Sequence, residues 1–173
     1  MRLCKALCFL LFFLAGCVGV PEGIQVIDGF EVDRYLGAWF EMARLDHSFE
    51  RGLDNVTANY SKNSDGSIKV INRGYDFRKK EWKEAEGKAK FVGTPNQGKL
   101  KVSFFGPFYG SYNIIELDKE AYSYALVCSK NRSYLWILAR DKNISKDIIE
   151  RLVSKAQSLG FETDKLIYVK HDK

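Results

Sequence analysis

Between Ala38 and Arg140 the sequence alternates apolar and polar residues in eight short runs, each closed by turn-forming residues. The runs are Ala38–Leu45, Val56–Ser61, Ser67–Gly74, Trp82–Val92, Lys99–Phe105, Ser111–Leu117, Tyr122–Ser129 and Tyr134–Arg140. A period of two over a few residues is the mark of a strand with one buried face. Asn63-Ser64-Asp65-Gly66, Thr94-Pro95-Asn96-Gln97-Gly98 and Asn131-Arg132-Ser133 supply tight turns. Connections this short make successive strands antiparallel neighbours, and eight of them close into a barrel wide enough to hold one small ligand. The expected fold is therefore all-β, an eight-stranded antiparallel up-and-down β-barrel with a C-terminal α-helix packed outside. At 173 residues the chain suits one domain, since proteins of this size bury roughly 70% of their unfolded surface.

After Arg140 the period changes to that of a helix. Ser145 can cap it, Ile148, Ile149, Leu152, Val153, Ala156 and Leu159 form an apolar stripe, and Gly160 can end it. With Trp136, Leu138 and Arg140 facing inward, Leu135, Ile137 and Ala139 face out, and Ala125 and Val127 are expected to extend that apolar exterior. The helix should dock there, followed by a short edge strand at Leu166–Val169. The barrel unit with its helix and edge strand is placed at 28–173.

The N-terminus carries a targeting segment. Arg2 and Lys5 precede an apolar run, Ala6 to Phe13, too short to span a bilayer as a mature helix. It ends in Leu14-Ala15-Gly16-Cys17, which resembles the lipobox of bacterial lipoproteins. That resemblance implies a signal peptide at 1–16, an acylated Cys17 as first mature residue, and a lipidated tether over 17–27. It also implies the cell outer membrane as location, since Val18 rather than Asp follows the cysteine. An ordinary secretory signal with incidental cysteines is the plainer reading. Two or more acyl chains anchor stably where one holds only marginally. Removal of the signal also removes Cys4 and Cys8, so with Cys17 acylated only Cys128 stays free and no intrachain disulfide is expected. The signal holds two of the 27 basic residues and none of the 22 acidic ones, leaving a net charge of +3. So mild an excess argues for no nucleic-acid partner.

One stretch, Tyr35 to His47, sets Gly37-x-Trp39 at the start of the first strand, and Arg140 closes the last. Together with Phe104-Phe105-Gly106-Pro107-Phe108-Tyr109-Gly110 and Tyr134-Leu135-Trp136-Ile137-Leu138, this pattern over residues 28 to 170 resembles the lipocalins. More narrowly it resembles the bacterial outer-membrane lipocalins related to apolipoprotein D. Tyr122-Ser123-Tyr124 departs from the usual Thr-Asp-Tyr of that family. The resemblance implies that Trp39 and Arg140 pack across the closed barrel end as structural residues, with Gly37 beside them. A core tryptophan and an exposed arginine that never meet is the bland alternative. It further implies a carrier of fatty acids or lysophospholipids.

Trp39 at the closed end puts residues 46–55, 75–81, 106–110 and 129–133 at the mouth. By alternation the ligand-facing wall would hold Ala43, Val56, Ala58, Tyr60, Val70, Ala85, Gly87, Val102, Phe104, Tyr112, Tyr124, Trp136 and Leu138. Ala58, Ala85, Gly87 and Ala89 are small, which suggests room for a guest; a barrel filled by its own side chains is the alternative. The mouth loops are rich in cations, and Arg78, Lys79 and Lys80 are candidates for binding an anionic headgroup, against the alternative of a merely solvated hairpin. Sixteen buried methylenes would contribute about 13 kcal/mol gross, less ordering and association costs.

Other chemistry is weakly supported. Glu41 shares the parity of Trp39, and an inward carboxylate needs a partner or a proton. A Cys128–His47 pair would be the only nucleophile with a base, though cysteine is more often a small buried hydrophobe. No metal-ligand spacing, phosphate loop or cofactor motif occurs. A non-enzymatic carrier of lipid is the main reading, a structural envelope protein or a carrier of another hydrophobic ligand the alternative, and a weak lipid esterase the minor one; a homodimer is left open.

Overall fold

The computed structural model describes residues 18–173; the signal segment and Cys17 lie outside the described residues. A one-turn helix, α1 (Val32–Tyr35), leads into β1 (Gly37–Arg44). Then follow β2 (Leu53–Lys62), β3 (Ile68–Asp76), β4 (Glu81–Phe91), β5 (Lys99–Phe105), β6 (Phe108–Leu117), β7 (Tyr124–Cys128) and β8 (Leu135–Ala139). Each pairs antiparallel with the next, and β1 pairs with both β8 and β2, so the sheet closes on itself. The sequence therefore does build the eight-stranded up-and-down barrel that its turns and alternation require. The mouth lies at the loops β1–β2, β3–β4, β5–β6 and β7–β8.

Closure is uneven. At the mouth end of the β1/β2 seam the C-terminal strand β9 (Ile167–Tyr168) is inserted, pairing with Ala43 and Arg44 of β1. The Asn55 amide donates to the Lys170 carbonyl at 2.8 Å, stitching the insert to β2 as well. The expected edge strand is thus an internal filler. On the opposite wall β4 pairs with β5 only through Lys88–Phe91 and Leu100–Ser103, which leaves Glu81–Gly87 without a partner on that side.

Irregularities reset which face a residue occupies. A bulge between Glu41 and Ala43 inverts the parity of β1 partway along, as a bulge must when it adds one residue to one strand. Ala43, expected inside, consequently packs outside with Leu126, Leu135, Ile137 and Leu152. A second irregularity between Ile114 and Glu116 does the same to β6. In β7 the register sets Ala125 opposite Leu138 and Val127 opposite Trp136. Directly opposed residues share a face, so Ala125 and Val127 point inward, and the expected assignment of that strand is reversed. Tyr124 and Leu126 lie outside, with Arg151 of the C-terminal helix over the Tyr124 ring.

That helix, α2 (Lys146–Ser158), starts at Ser145, whose Oγ accepts from the Ile148 amide, and ends before Gly160, which adopts φ 83°. Leu152 and Ala156 are fully buried against Leu126, Leu135 and Ile137 on the exterior of the last two strands. The docking site is the one expected; its floor is Leu126 instead of Ala125 and Val127.

The tether is bound to the barrel wall. The Phe30 amide donates to Asn96 at the closed end, and the Ile27 amide to Ile114 further along. Arg132 Nη2 donates to the Glu22 carbonyl at 2.7 Å. The Gly19 amide donates to Ser111 Oγ at 2.7 Å, and Asn113 Nδ2 donates to the Gly19 carbonyl at 2.8 Å. Residues 30 back to 19 therefore climb the outside from the closed end toward the mouth.

Candidate functional site

The closed end is sealed by the pair that the sequence suggested. Arg140 lies with its guanidinium carbon 4.0 Å from the Trp39 ring centroid. Its nitrogens donate to the carbonyls of Ala38, Arg34 and Leu36, each at 2.8 Å. Trp39 is fully buried and its indole N–H donates to the Tyr35 carbonyl. Gly37, at φ 91°, takes a left-handed turn that suits glycine, and a Cβ added there would lie 3.4 Å from Arg140 Nη1.

Above this plug lies a cavity enclosing about 840 Å³ of space free of protein atoms, open solvent at its mouth included. Its wall includes Val56, Ala58, Tyr60, Val70, Val102, Phe104, Tyr112, Trp136 and Leu138, all expected there. Ile68, Ala89 and Leu100 join them. Four expected wall residues do not. Ala43 and Tyr124 face the helix, for the register reasons above. Ala85 stands opposite Asn72 but is solvent-exposed, where β4 has parted from β5. Gly87 leaves no room for a guest: a Cβ there would come within 2.8 Å of Phe104, so the missing side chain accommodates that ring.

The lining is apolar apart from three polar groups. At the floor the Tyr112 hydroxyl bonds those of Tyr35 at 2.7 Å and Tyr60 at 2.9 Å. Burial pushes all three hydroxyls well above the usual phenol range, so they stay neutral. Partway up are Thr57 and Asn72, and Ser111 borders the cup with its hydroxyl accepting from Gly19 on the outside. Near the mouth the wall includes Glu41 and Glu50, two carboxyls that an apolar cup would not tolerate alone. The bulge explains their company. It brings Glu41 and Arg44 to one side, and Arg44 Nη1 donates to Glu41 Oε1 at 2.7 Å. Arg44 Nη2 donates to the carbonyls of Glu50 and Leu53.

Glu50 in turn lies with Oε2 2.9 Å from His47 Nε2 and accepts from the Trp136 indole at 3.1 Å. Burial and the neighbouring Glu50 push the Glu41 carboxyl well above the usual range, with Arg44 opposing them. Burial raises Glu50 too, yet His47 and Trp136 hold it below its ordinary value. One proton shared toward Glu41 is the favourable state. Strict alternation would set residues 41 and 44 on opposite faces, so no pattern in the sequence announced this pair. Phe49 and Glu50, loop residues folded back over the cup, were equally unannounced.

Cys128 and His47 do not meet as a catalytic pair. The thiol is fully buried, packs with the residues under α2, and is pushed up to about 12 by burial. His47 instead stacks on Phe49 and Tyr134. Arg78, Lys79 and Lys80 are at the tip of the β3–β4 hairpin, outside the lining. There Asp76 accepts from the Arg78 and Lys79 amides and from Lys83 Nζ, and its carboxyl is drawn down to about 2, by Lys83 above all. Arg78 also donates to the Arg51 carbonyl.

A sealed floor, a single mouth and an apolar wall are the geometry of a cup for a hydrophobic guest, and known proteins share it. Residues 30–171 match the family described as a Lipocalin-like domain. The chain is 54% identical over 156 residues to the outer membrane lipoprotein Blc of Vibrio cholerae, covering 90% of this chain and 91% of that one. It is 51% identical to the protein of the same name in Escherichia coli, over 86% and 84% of the two chains. Rat (Rattus norvegicus) apolipoprotein D is 32% identical over 82% of this chain and 75% of its own. Among solved structures, insecticyanin from the tobacco hornworm Manduca sexta superposes with a TM-score of 0.69 at 19% identity, covering 88% and 87% of the chains. By fold, by the Trp39–Arg140 closure and by sequence, this chain belongs to the lipocalin family.

Proposed function

We propose that this protein is a non-enzymatic carrier that stores or moves single-chain lipids, lysophospholipids or fatty acids, at the outer membrane to which an acylated Cys17 ties it. The observation that carries the reading is the cavity: a cup apolar on most of its wall and closed at one end by Trp39 and Arg140. A concave apolar wall with a few placed polar groups is the usual form of a small-molecule site, and a cup with one mouth suits a flexible tail better than a flat ring system. The bacterial relatives, named as outer membrane lipoproteins, support the location. The tail would lie along Val70, Val102 and Leu138 with its end toward the tyrosines. The head would stay at the mouth, where Arg78, Lys79 and Lys80 on the neighbouring hairpin attract phosphate. Among the described residues the one cysteine, Cys128, is buried away from the cup, which favours binding over turnover.

The test is titration of delipidated protein beginning at Val18 with lysophospholipids and fatty acids, read by tryptophan fluorescence and native mass spectrometry. One intact lipid per chain with micromolar or tighter affinity is expected. Val102→Trp, which fills the middle of the cup, should weaken binding at least tenfold with the near-UV circular dichroism of a folded barrel preserved. Hydrolysis of the lipid would replace the carrier with an esterase. A folded protein that takes up no lipid would leave a structural role.

A further inference from the structure

The two ends of the barrel have different surfaces. Seven large apolar side chains stand well exposed among the described residues, and all belong to the mouth half. Phe49 is in the β1–β2 loop, Phe77 and Trp82 flank the β3–β4 hairpin, and Phe105 and Phe108 form the β5–β6 turn at 82% and 79% exposure. The other two, Ile167 and Tyr168, are the strand inserted beside Ala43 and Arg44. Single exposed apolar residues are ordinary. Their collection on one end, with none at the other among the described residues, is the feature that marks a contact surface.

Charge on that end suits a particular contact. The exposed Lys79 and Lys80 crown the hairpin between Phe77 and Trp82, and neither pairs with a carboxylate among the described residues. Aromatic rings interleaved with cations are what a bilayer interface binds: rings settle at headgroup level and cations meet lipid phosphate.

The tether leads to the same end independently. Gly19 is fixed to Ser111 and Asn113 of β6. Ser111 is three residues from the rim at Phe108, about 10 Å, and six from the closed end at Leu117, about 20 Å. The N-terminal end of the described chain is therefore held on the mouth half of the wall.

We propose that the open end is a membrane-docking surface, on which the acylated protein stands mouth-down against an anionic lipid bilayer, rim aromatics in the headgroup layer and the basic hairpin on lipid phosphates. The orientation rests on Cys17 being acylated, as in the reading above. It gives the cup direct communication with the bilayer, so a lipid tail passes between the two without crossing open water.

The experiment uses the acylated protein in vesicles of phosphatidylethanolamine and phosphatidylglycerol containing headgroup-level nitroxide lipid. A fluorophore is placed by Phe108→Cys at the rim or by Lys142→Cys after the last strand at the closed end, buried Cys128 being inert to the label. Acylation is verified first by mass spectrometry. Quenching at least fivefold stronger at position 108 than at 142 is expected, and it should persist at one protein per vesicle. Equal quenching at both, or the reverse order, overturns the proposal, as does a signal that vanishes on dilution, which would assign the rim to a second copy of the chain. In a Ser48→Cys reporter on the β1–β2 loop, adding Phe105→Ser with Phe108→Ser should lower quenching toward the level at 142, while lysophospholipid affinity in solution stays within threefold. Unchanged quenching in that variant also overturns it. If no variant binds lysophospholipid in solution yet position 108 remains quenched, the carrier function falls and the docking surface stands.

Discussion

Arg140 shows how much a single side chain can hold when its geometry is fixed. Its guanidinium covers Trp39 while three carbonyls, from α1, β1 and Leu36 between them, accept its protons. Arg140→Ala removes a cation–π contact and leaves those carbonyls without their donor, a loss of about 2–4 kcal/mol. Urea unfolding should register that loss, and lipid affinity measured under native conditions should hardly change, because Arg140 does not line the cup. Glu41 makes a prediction of opposite character. Its folded pKa is raised, so the native state keeps a proton that the unfolded chain gives up near 4.5. Stability from this group is present below that value and is lost as pH rises through the folded pKa. Glu41→Gln should flatten that decline in unfolding free energy measured from pH 5 to 8; a wild-type and variant with parallel profiles would count against a shared proton at this site. Cys128 should resist thiol reagents in the folded protein and react fully in denaturant, since burial pushes it up to about 12.

At the scale of elements, α2 contributes by covering the outer face of β7 and β8. Leu152 is its fully buried centre, and Leu152→Ala should cost about 2–5 kcal/mol by the usual price of a buried leucine, measurable as a lower denaturation midpoint with barrel circular dichroism retained. The elements themselves were legible in the sequence because period, turn residues and caps act locally: strands, helix and Ser145 cap all lie close to where the pattern puts them. Parity was legible only between irregularities. The bulge after Glu41 moves Ala43 out and brings Arg44 alongside Glu41, and no local signal encodes it. The face of β7 was recoverable, since Ala125 and Val127 must share the side of their partners Leu138 and Trp136. Gly87 taught a different lesson: a small residue in a wall signals a close neighbour, here Phe104, as readily as empty space.

At the scale of the whole molecule the C-terminus acts as a structural wedge. β9 and the residues after it fill the β1/β2 seam beside the mouth, with Asn55 Nδ2 donating to Asp172 Oδ1 at 3.1 Å and the Lys173 amide to Asn55 Oδ1 at 2.9 Å. Ending the chain before Ile167 should expose the backbone amide of Asn55, seen as faster hydrogen exchange there than in β3, together with a lower melting temperature. The opposite wall needs no truncation to open. Above Lys88 no ladder joins β4 to β5, so the barrel is a hoop cut partway through its height. A slit collar changes girth by bending, without breaking a hydrogen bond. The depth of the cup, fixed by the rigid plug of Trp39 and Arg140, then sets a firm limit on tail length, while its width yields to kinked or branched tails.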